Sequence, residues 1–427
     1  MRAPSLLIRG AATLATPLGR GAVAGARQGA VQVLPGAVVR CEGEVIVFVG
    51  PESDHDRRFP PPDVILEADG GTILPGFVDP HTHLPFAGYR EGEFDRRLAG
   101  ESYAEIAAAG GGIVATVAAT RAAGEDELLA LTLARLDRQL LHGTTTTEAK
   151  SGYGLELETE LKQLRVLRAA AARHPVAISA TAMPAHEVPP EWRHDPDGYV
   201  RLVIEEIHPA IAAAGLAEGV DVFCETGVFS PEQTRRLLAD ARRHGWRIHL
   251  HADELSPLGG AELAAELGAA SASHLLHVTP AGMRALAEAG VVAVALPGVS
   301  FFLKERYAPL RRLVAAGVPV ALATDCNPGS SHTENMAMIM ALACLGAGFS
   351  TDEALTAATL NAAAALGRAD RIGSLEVGKQ ADVVVLDAPS HAHLVYHFGV
   401  NLVRHVVKAG RLVVEDGQLR RPPSASG

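Results

Sequence analysis

Four cysteines stand in 427 residues, at positions 41, 224, 326 and 344, and no two form a Cys-x-x-Cys pair. A chain this long with so few is not held by a disulfide scaffold, and a reducing, cytoplasmic compartment is the simplest home for it. Long apolar runs are also missing. The stretches 290–303 and 336–349 are too short and too interrupted to span a bilayer. An excess of positive charge is absent, since 38 Lys and Arg face 49 Asp and Glu for a net charge of −11. That balance argues against nucleic acid or an anionic membrane as the main partner, while one local arginine still suffices to hold a small anion. No Gly-x-Gly-x-x-Gly follows a strand-like run, which removes the usual support for a doubly wound, nucleotide-binding sheet. Residues 1–28 lack acids and are rich in Ala, Gly and Arg, but hold no continuous apolar block, so they read as an ordinary N-terminus.

What is present is a large apolar fraction, 48% of the residues, enough for a sizeable core and more than one domain. Runs rich in β-branched residues at 31–34, 37–40 and 44–49, separated by Pro and Gly, predict short strands. A second such region closes the chain at 381–387, 402–407 and 411–414. The two ends resemble each other more than the middle, which predicts one small β-sandwich domain from residues 1–70 and 373–427. Between them, residues 71–372 alternate strands with amphipathic helices. The strand candidates are 77–83, 144–148, 176–182, 220–225, 246–251, 270–275, 291–296 and 318–324, with helices such as 156–172 and 231–244 between them. Eight strands so arranged predict a (β/α)8 barrel of the TIM type. Gly110, Gly111 and Gly112 read as a flexible loop near its mouth.

Chemistry in such a barrel sits at the C-terminal ends of the strands. Those positions carry His81 and His83, then Glu148 and Lys150, His186, Glu225, His251 with Glu254, His274, and Asp325 with Asn327. So many ionisable groups at one end are costly unless they bind something. His81, His83, His251 and Asp325 come from the first, fifth and eighth strands and make a sensible set of donors for zinc or iron. A cation there lowers the pKa of a bound water to about 7, which makes hydroxide available as nucleophile. His249 shares a face with His251, so pattern alone leaves open which of them ligates. Glu254, three residues past His251, is placed to carry a proton from the water to a leaving nitrogen, with Asp253 as its rival. His274 is a candidate to hold the attacked oxygen or the water. Arg90 offers a donor fork for a carboxylate, unless it is spent on Glu91 or Glu93. The turn from Lys150 to Leu155 has two glycines that let side chains enter the mouth. The turn from Asp325 to Ser330 has backbone N–H groups suited to an anion. Cys326 lacks a clear base partner and is a weak nucleophile candidate.

These residues have a family likeness. The run Leu74-Pro75-Gly76-Phe77-Val78-Asp79 before His81-Thr82-His83, with His251 and Asp325 downstream, resembles the amidohydrolase superfamily. Within it, Glu101-Ser102-Tyr103-Ala104-Glu105-Ile106 leading to Gly110-Gly111-Gly112-Ile113, the stretch from Lys150 to Lys162, and Ala323-Thr324-Asp325-Cys326-Asn327-Pro328-Gly329 resemble the imidazolonepropionase family. The resemblance implies hydrolysis of the ring amide of 4-imidazolone-5-propanoate to N-formimidoyl-L-glutamate, in histidine degradation. It implies one Zn²⁺ or Fe³⁺ per subunit on His81, His83, His251 and Asp325. It places Arg90, Tyr153, His186, Glu254, Asn327, Gly329 and Ser330 at the small anionic substrate, and it suggests a cytoplasmic homodimer. Glu225 stands on the fourth strand where some relatives carry a carboxylated lysine that bridges two metals. An aminohydrolase acting on another cyclic amidine and releasing ammonia is the alternative reading. The polar run Ser331-His332-Thr333-Glu334-Asn335, and the lack of a glycine before Ala185-His186, depart from the family pattern.

Overall fold

The computed structural model describes residues 3–101, 105–106 and 109–420. Ser102, Tyr103 and Ala104 of the family-like run lie outside the described residues. Eight strands form one parallel sheet whose order follows the chain. They are β1 (Phe77–Asp79), β2 (Thr144–Lys150), β3 (Ala177–Ala185), β4 (Gly219–Cys224), β5 (Arg247–Ala252), β6 (Ser271–His274), β7 (Val292–Ala295) and β8 (Val320–Leu322). Every strand expected from the sequence is present, and helices alternate with most of them. β4 shows why these segments read as short apolar runs rather than alternating ones. All six of its residues are buried, because one face meets the barrel interior and the other the helix layer. The helix Pro231–Arg243 starts where its sequence says it should. Ser230 and Gln233 form a reciprocal capping box and Pro231 takes the first helical position. Its Leu237, Leu238 and Ala241 bury against the strands.

The sheet closes between its two ends, just beyond the last residues of β1 and β8. Asp325 N–H donates to the His81 carbonyl at 3.0 Å, and His83 N–H donates to the Cys326 carbonyl at 3.1 Å. Below them, Thr324 donates from its hydroxyl (2.6 Å) and its N–H (3.1 Å) to the buried Asp79 carboxylate. His81 and His83 therefore lie past the end of β1, but the extended alternation persists and keeps both rings on one side.

Both chain ends contribute to two further sheets. One has four strands in the order Val45–Pro51, Ala37–Glu42, Ser5–Arg9, Val64–Glu67, and the other has seven, from Gln418–Leu419 through Val383–Leu386, Thr72–Pro75 and Thr13–Pro17 to Val31–Pro35. They share an apolar core in which Ile8, Val39 and Ile46 meet Ile73, Val383 and Val385. Thr72–Pro75 pairs with Val383–Leu386 in the seven-stranded sheet, immediately before the chain enters β1. Two strands arise inside the N-terminal stretch that carried no strand expectation. Ser5–Arg9 sits between Ala37–Glu42 and Val64–Glu67, and Thr13–Pro17 pairs with Val31–Pro35. No helix among the described residues is long and apolar enough to cross a membrane.

Candidate metal centre and active site

The ends of β1, β5, β6 and β8 bring five buried side chains together. One donor atom each from His81, His83 and His251 lie within 4.8 Å of one another, and so do those of His81, His274 and Asp325. His81 Nε2 and His83 Nε2 both stand 3.4 Å from Asp325 Oδ1. His81 Nε2, both ring nitrogens of His274 and Asp325 Oδ1 are buried without a hydrogen-bond partner among the described residues. Unpaired polar atoms inside a protein are costly, and several converging on one point fit a cation that would satisfy them together. Burial, with positive neighbours adding to it, holds the His81 and His83 imidazoles well below their usual range, and burial carries His274 to about 3. They are neutral at pH 7, the state in which imidazole donates a lone pair.

Neighbours fix which nitrogen faces inward. Ser273 Oγ lies 2.9 Å from His81 Nδ1, which leaves Nε2 for the centre. His251 Nδ1 lies 2.9 Å from Asp221 Oδ1, which also accepts the His251 N–H at 3.1 Å. Asp221 in turn pairs with Lys150 Nζ at 3.0 Å, and Lys150 with Glu148 at 2.8 Å. Such outer partners orient metal-binding rings and raise their basicity. Sequence reasoning missed Asp221 and Ser273. The available signal was an aspartate within the fully buried β4, which demands a partner. His249 is settled by the same geometry. Its Nδ1 lies 2.8 Å from Ser271 Oγ, one layer deeper in the barrel, and it is not in the cluster.

Above the cluster opens a cavity of about 430 Å³. His83, His251 and Asp325 line it, and so do Arg90, Tyr153, His186, Glu254, His274, Asn327, Gly329 and Ser330. His186 Nδ1 lies 3.0 Å from the Gly152 carbonyl, so this nitrogen carries the proton and Nε2 is left as an acceptor. Its ring stacks on His83 at 4.8 Å between centroids. The Lys150–Leu155 turn is held by Glu160, whose carboxylate accepts the N–H groups of Gly152, Gly154 and Leu155. Gly152 sits at φ +99°, which favours glycine, and a Cβ there would crowd His186 Nδ1 at 3.1 Å.

Among the described residues, Arg90 is engaged on one edge. Its Nε and Nη2 donate to Glu93 Oε2 at 2.9 and 2.7 Å, while Nη1 lies against Gly329. The expected salt bridge and the expected cavity-facing arginine are thus the same side chain. Glu93 Oε1 also accepts the Gly112 N–H at 3.0 Å, which ties the triple-glycine turn to this arginine.

Three expectations need correction or sharpening. The Asp325–Ser330 turn does not present free N–H groups to an anion. Gly329 N–H and Ser330 N–H donate to Asn327 Oδ1 at 2.8 and 2.9 Å, and Asn327 Nδ2 donates to the Asp325 carbonyl at 2.8 Å. Asn327 borders the cavity, but its amide is spent on shaping the loop. Asp253 is not a free base either. Its carboxylate accepts the N–H groups of Gly259, Gly260 and Ala261 and caps the helix Gly260–Glu266. Cys326 is buried, and burial above all pushes its thiol well above the ordinary value, so it is not a thiolate at neutral pH. Glu254 remains. Its Oε2 stands 3.5 Å from His274 Nε2, and burial, followed by the negative Asp325 and Glu225, raises its carboxyl to about 8. The backbone is strained around this mouth, with φ of +50° at Asp253, +71° at His274, +60° at Leu275 and +50° at Asp325.

A model of the amidohydrolase family matches residues 72–413. An imidazolonepropionase of Symbiobacterium thermophilum is 53% identical over 425 residues, 99% of this chain and 100% of that protein. An imidazolonepropionase of Geobacillus kaustophilus is 52% identical over 390 residues, 91% of this chain and 92% of that one. Among solved structures, a triazine hydrolase variant superposes with a TM-score of 0.79 at 20% identity, covering 98% of this chain and 96% of its own. A zinc-bound adenosine deaminase from Xanthomonas campestris gives 0.73 at 24% identity, covering 99% and 96%. These two share the fold. Together with relatives more than half identical along nearly the whole chain, the family match shows that this protein belongs to the amidohydrolase family and, within it, to the imidazolonepropionases.

Proposed function

We propose that this chain hydrolyses the ring amide of 4-imidazolone-5-propanoate to N-formimidoyl-L-glutamate, with one Zn²⁺ or Fe³⁺ held by His81, His83, His251 and Asp325. The observation that carries the reading is one cavity bordered by both the histidine–aspartate cluster and the half-engaged Arg90. A cation in that cluster supplies Lewis acidity, polarising a carbonyl and acidifying water. The chain's residues supply the rest. The Nη1–Nη2 edge of Arg90, left over after Glu93 takes the other edge, grips the propanoate in the bidentate manner of guanidinium and carboxylate. His186 accepts a ring N–H through Nε2, and Tyr153 walls the ring. Alone, Glu254 is mostly protonated at pH 7, its carboxyl lying at about 8; a cation in the cluster would favour the carboxylate, which takes the proton of the attacking water and returns it to the departing ring nitrogen. Water is thereby added across the C–N bond, its oxygen to the acyl carbon and its hydrogen to nitrogen. His274, beside Glu254, steadies the attacked oxygen.

Purified protein assayed on 4-imidazolone-5-propanoate is expected to consume it without releasing ammonia. Ammonia release, or no turnover by metal-loaded protein, would overturn the reading. Arg90→Met is expected to raise KM by about 10²-fold or more, because it removes a buried partner of a charge pair. The same variant leaves an analogue with a neutral propanamide chain unaffected. Gly329→Ala, whose new Cβ would run into Arg90 Nη1, shifts the arginine and raises KM by about tenfold. The family reading also carries a cytoplasmic homodimer, which sedimentation at assay concentration tests.

A further inference from the structure

Among the described residues, no hydrogen bond holds the Glu254 carboxylate. Its Oε2 stands 3.5 Å from the His274 ring, beyond bonding length. Something else must aim it, and the backbone around it is fastened from two sides. On one side Asp253 is locked at φ +50° by the three N–H groups at the start of the helix Gly260–Glu266. On the other side stands Glu225, at the end of β4 and 1% exposed. Its Oε2 accepts the Leu255 N–H at 2.8 Å and the Ser256 N–H at 3.3 Å. Its Oε1 accepts the Thr226 N–H at 2.7 Å and the Ser256 hydroxyl. Thr226 and Ser256 hydroxyls also meet, at 2.8 Å. One buried carboxylate thus collects most of the polar groups of the two residues after Glu254.

We infer that Glu225 is a positioning residue for the reaction: it fixes the 254–256 turn on the end of β4 and so aims Glu254 at the attacking water. This rests on the proton-carrying role proposed above for Glu254. A carboxylate at this place has a cost, since it puts a second negative charge near Glu254 and Asp325. A purely structural turn would be served as well by a neutral side chain or a shorter loop. Four donors on one carboxylate fix the turn's position as well as its shape, because both oxygens are constrained at once. Among the described residues, the Glu225 carboxylate bonds Thr226, Leu255 and Ser256 and none of the histidine–aspartate cluster, so its loss leaves the cation donors in place.

The test is steady-state kinetics on 4-imidazolone-5-propanoate with metal content measured on the same samples. Glu225→Ala is expected to lower kcat by about 10²-fold, the cost of a misplaced catalytic group, with KM within about twofold and metal retained. Ser256→Ala keeps the buried carboxylate and removes one donor, so it folds where the larger change does not, and kcat falls by about threefold to tenfold. The decisive variant is the double one. In a Glu254→Gln background, Glu225→Ala is expected to cost nothing further, because the two act through one proton transfer. Wild-type kcat in both Glu225→Ala and Ser256→Ala, or a double variant whose losses multiply, would overturn the inference. If Glu254→Gln alone keeps full turnover, the role of Glu254 has failed instead.

Discussion

Glu254→Gln is expected to lower kcat by about 10²–10⁴-fold, the range that general acid–base groups contribute, while the protein keeps its cation. Glutamine has the shape of glutamate and reaches the same space, but takes no proton from water at neutral pH. The retained cation follows from geometry. The clusters of donor atoms within 4.8 Å are drawn from His81, His83, His251, His274 and Asp325, and Glu254 is in neither. KM is expected to stay within a few-fold, since Arg90 supplies the hold on the propanoate. Kinetics and elemental analysis on one preparation check both halves. Unaltered kcat would remove Glu254 from the reaction, and loss of the metal would make it a ligand. The neighbouring aspartate gives an internal contrast. Asp253 spends its carboxylate on three backbone N–H groups, so its replacement weakens a helix start rather than the proton transfer.

The barrel was legible because its strands are buried on both faces, which writes them as short apolar runs with polar residues at one end. The metal donors were legible for the related reason that several imidazoles and a carboxylate clustered at strand ends have no cheap structural explanation. What stayed hidden was local and polar. Ser5–Arg9 and Thr13–Pro17 are five-residue strands in a stretch rich in Ala, Gly and Arg, and their partners, Ala37–Glu42 and Val64–Glu67 for the first and Val31–Pro35 and Thr72–Pro75 for the second, all lie beyond that stretch. Neither Ser5–Arg9 nor Thr13–Pro17 contains a valine, the residue that marked 31–34 and 37–40 as strands, so composition carried little strand signal there. Ser273 and Asp221 were overlooked because a lone serine or aspartate in a strand has many possible partners: register sets Asp221 beside His249 and Ser273 beside His251, yet Asp221 bonds His251 and Ser273 reaches across to His81. The Asp325–Ser330 turn misled for a different reason. A turn rich in Asn and Gly supplies N–H groups, but whether they face out or back to the asparagine's own carbonyl depends on its rotamer.

His81→Ala is expected to abolish cation binding and turnover together, and its stability signature separates a ligand from a mere core residue. His81 offers Nε2 at 3.4 Å from Asp325 Oδ1, and neither atom has another hydrogen-bond partner among the described residues. Each unpaired buried polar atom costs roughly 1–3 kcal/mol, a penalty the folded protein carries until a cation satisfies it. Stripping wild-type protein with a chelator and returning zinc or iron is therefore expected to raise Tm, by mass action on the folded state. In His81→Ala the rise is expected to vanish, and the chelator-treated variant is expected to melt at or above the stripped wild type, since one unpaired imidazole has left the site. A core histidine would behave oppositely, with Tm falling in both conditions from the cavity left behind. Ser273→Ala supplies the intermediate case. It frees His81 Nδ1 without touching the donor set, so metal affinity is expected to fall by about 10–100-fold and turnover to return when metal is supplied in excess. Recovery in Ser273→Ala and none in His81→Ala would place the serine behind the ring and the ring on the cation; the same response from both would mean that the imidazole at 81 does no more than fill space.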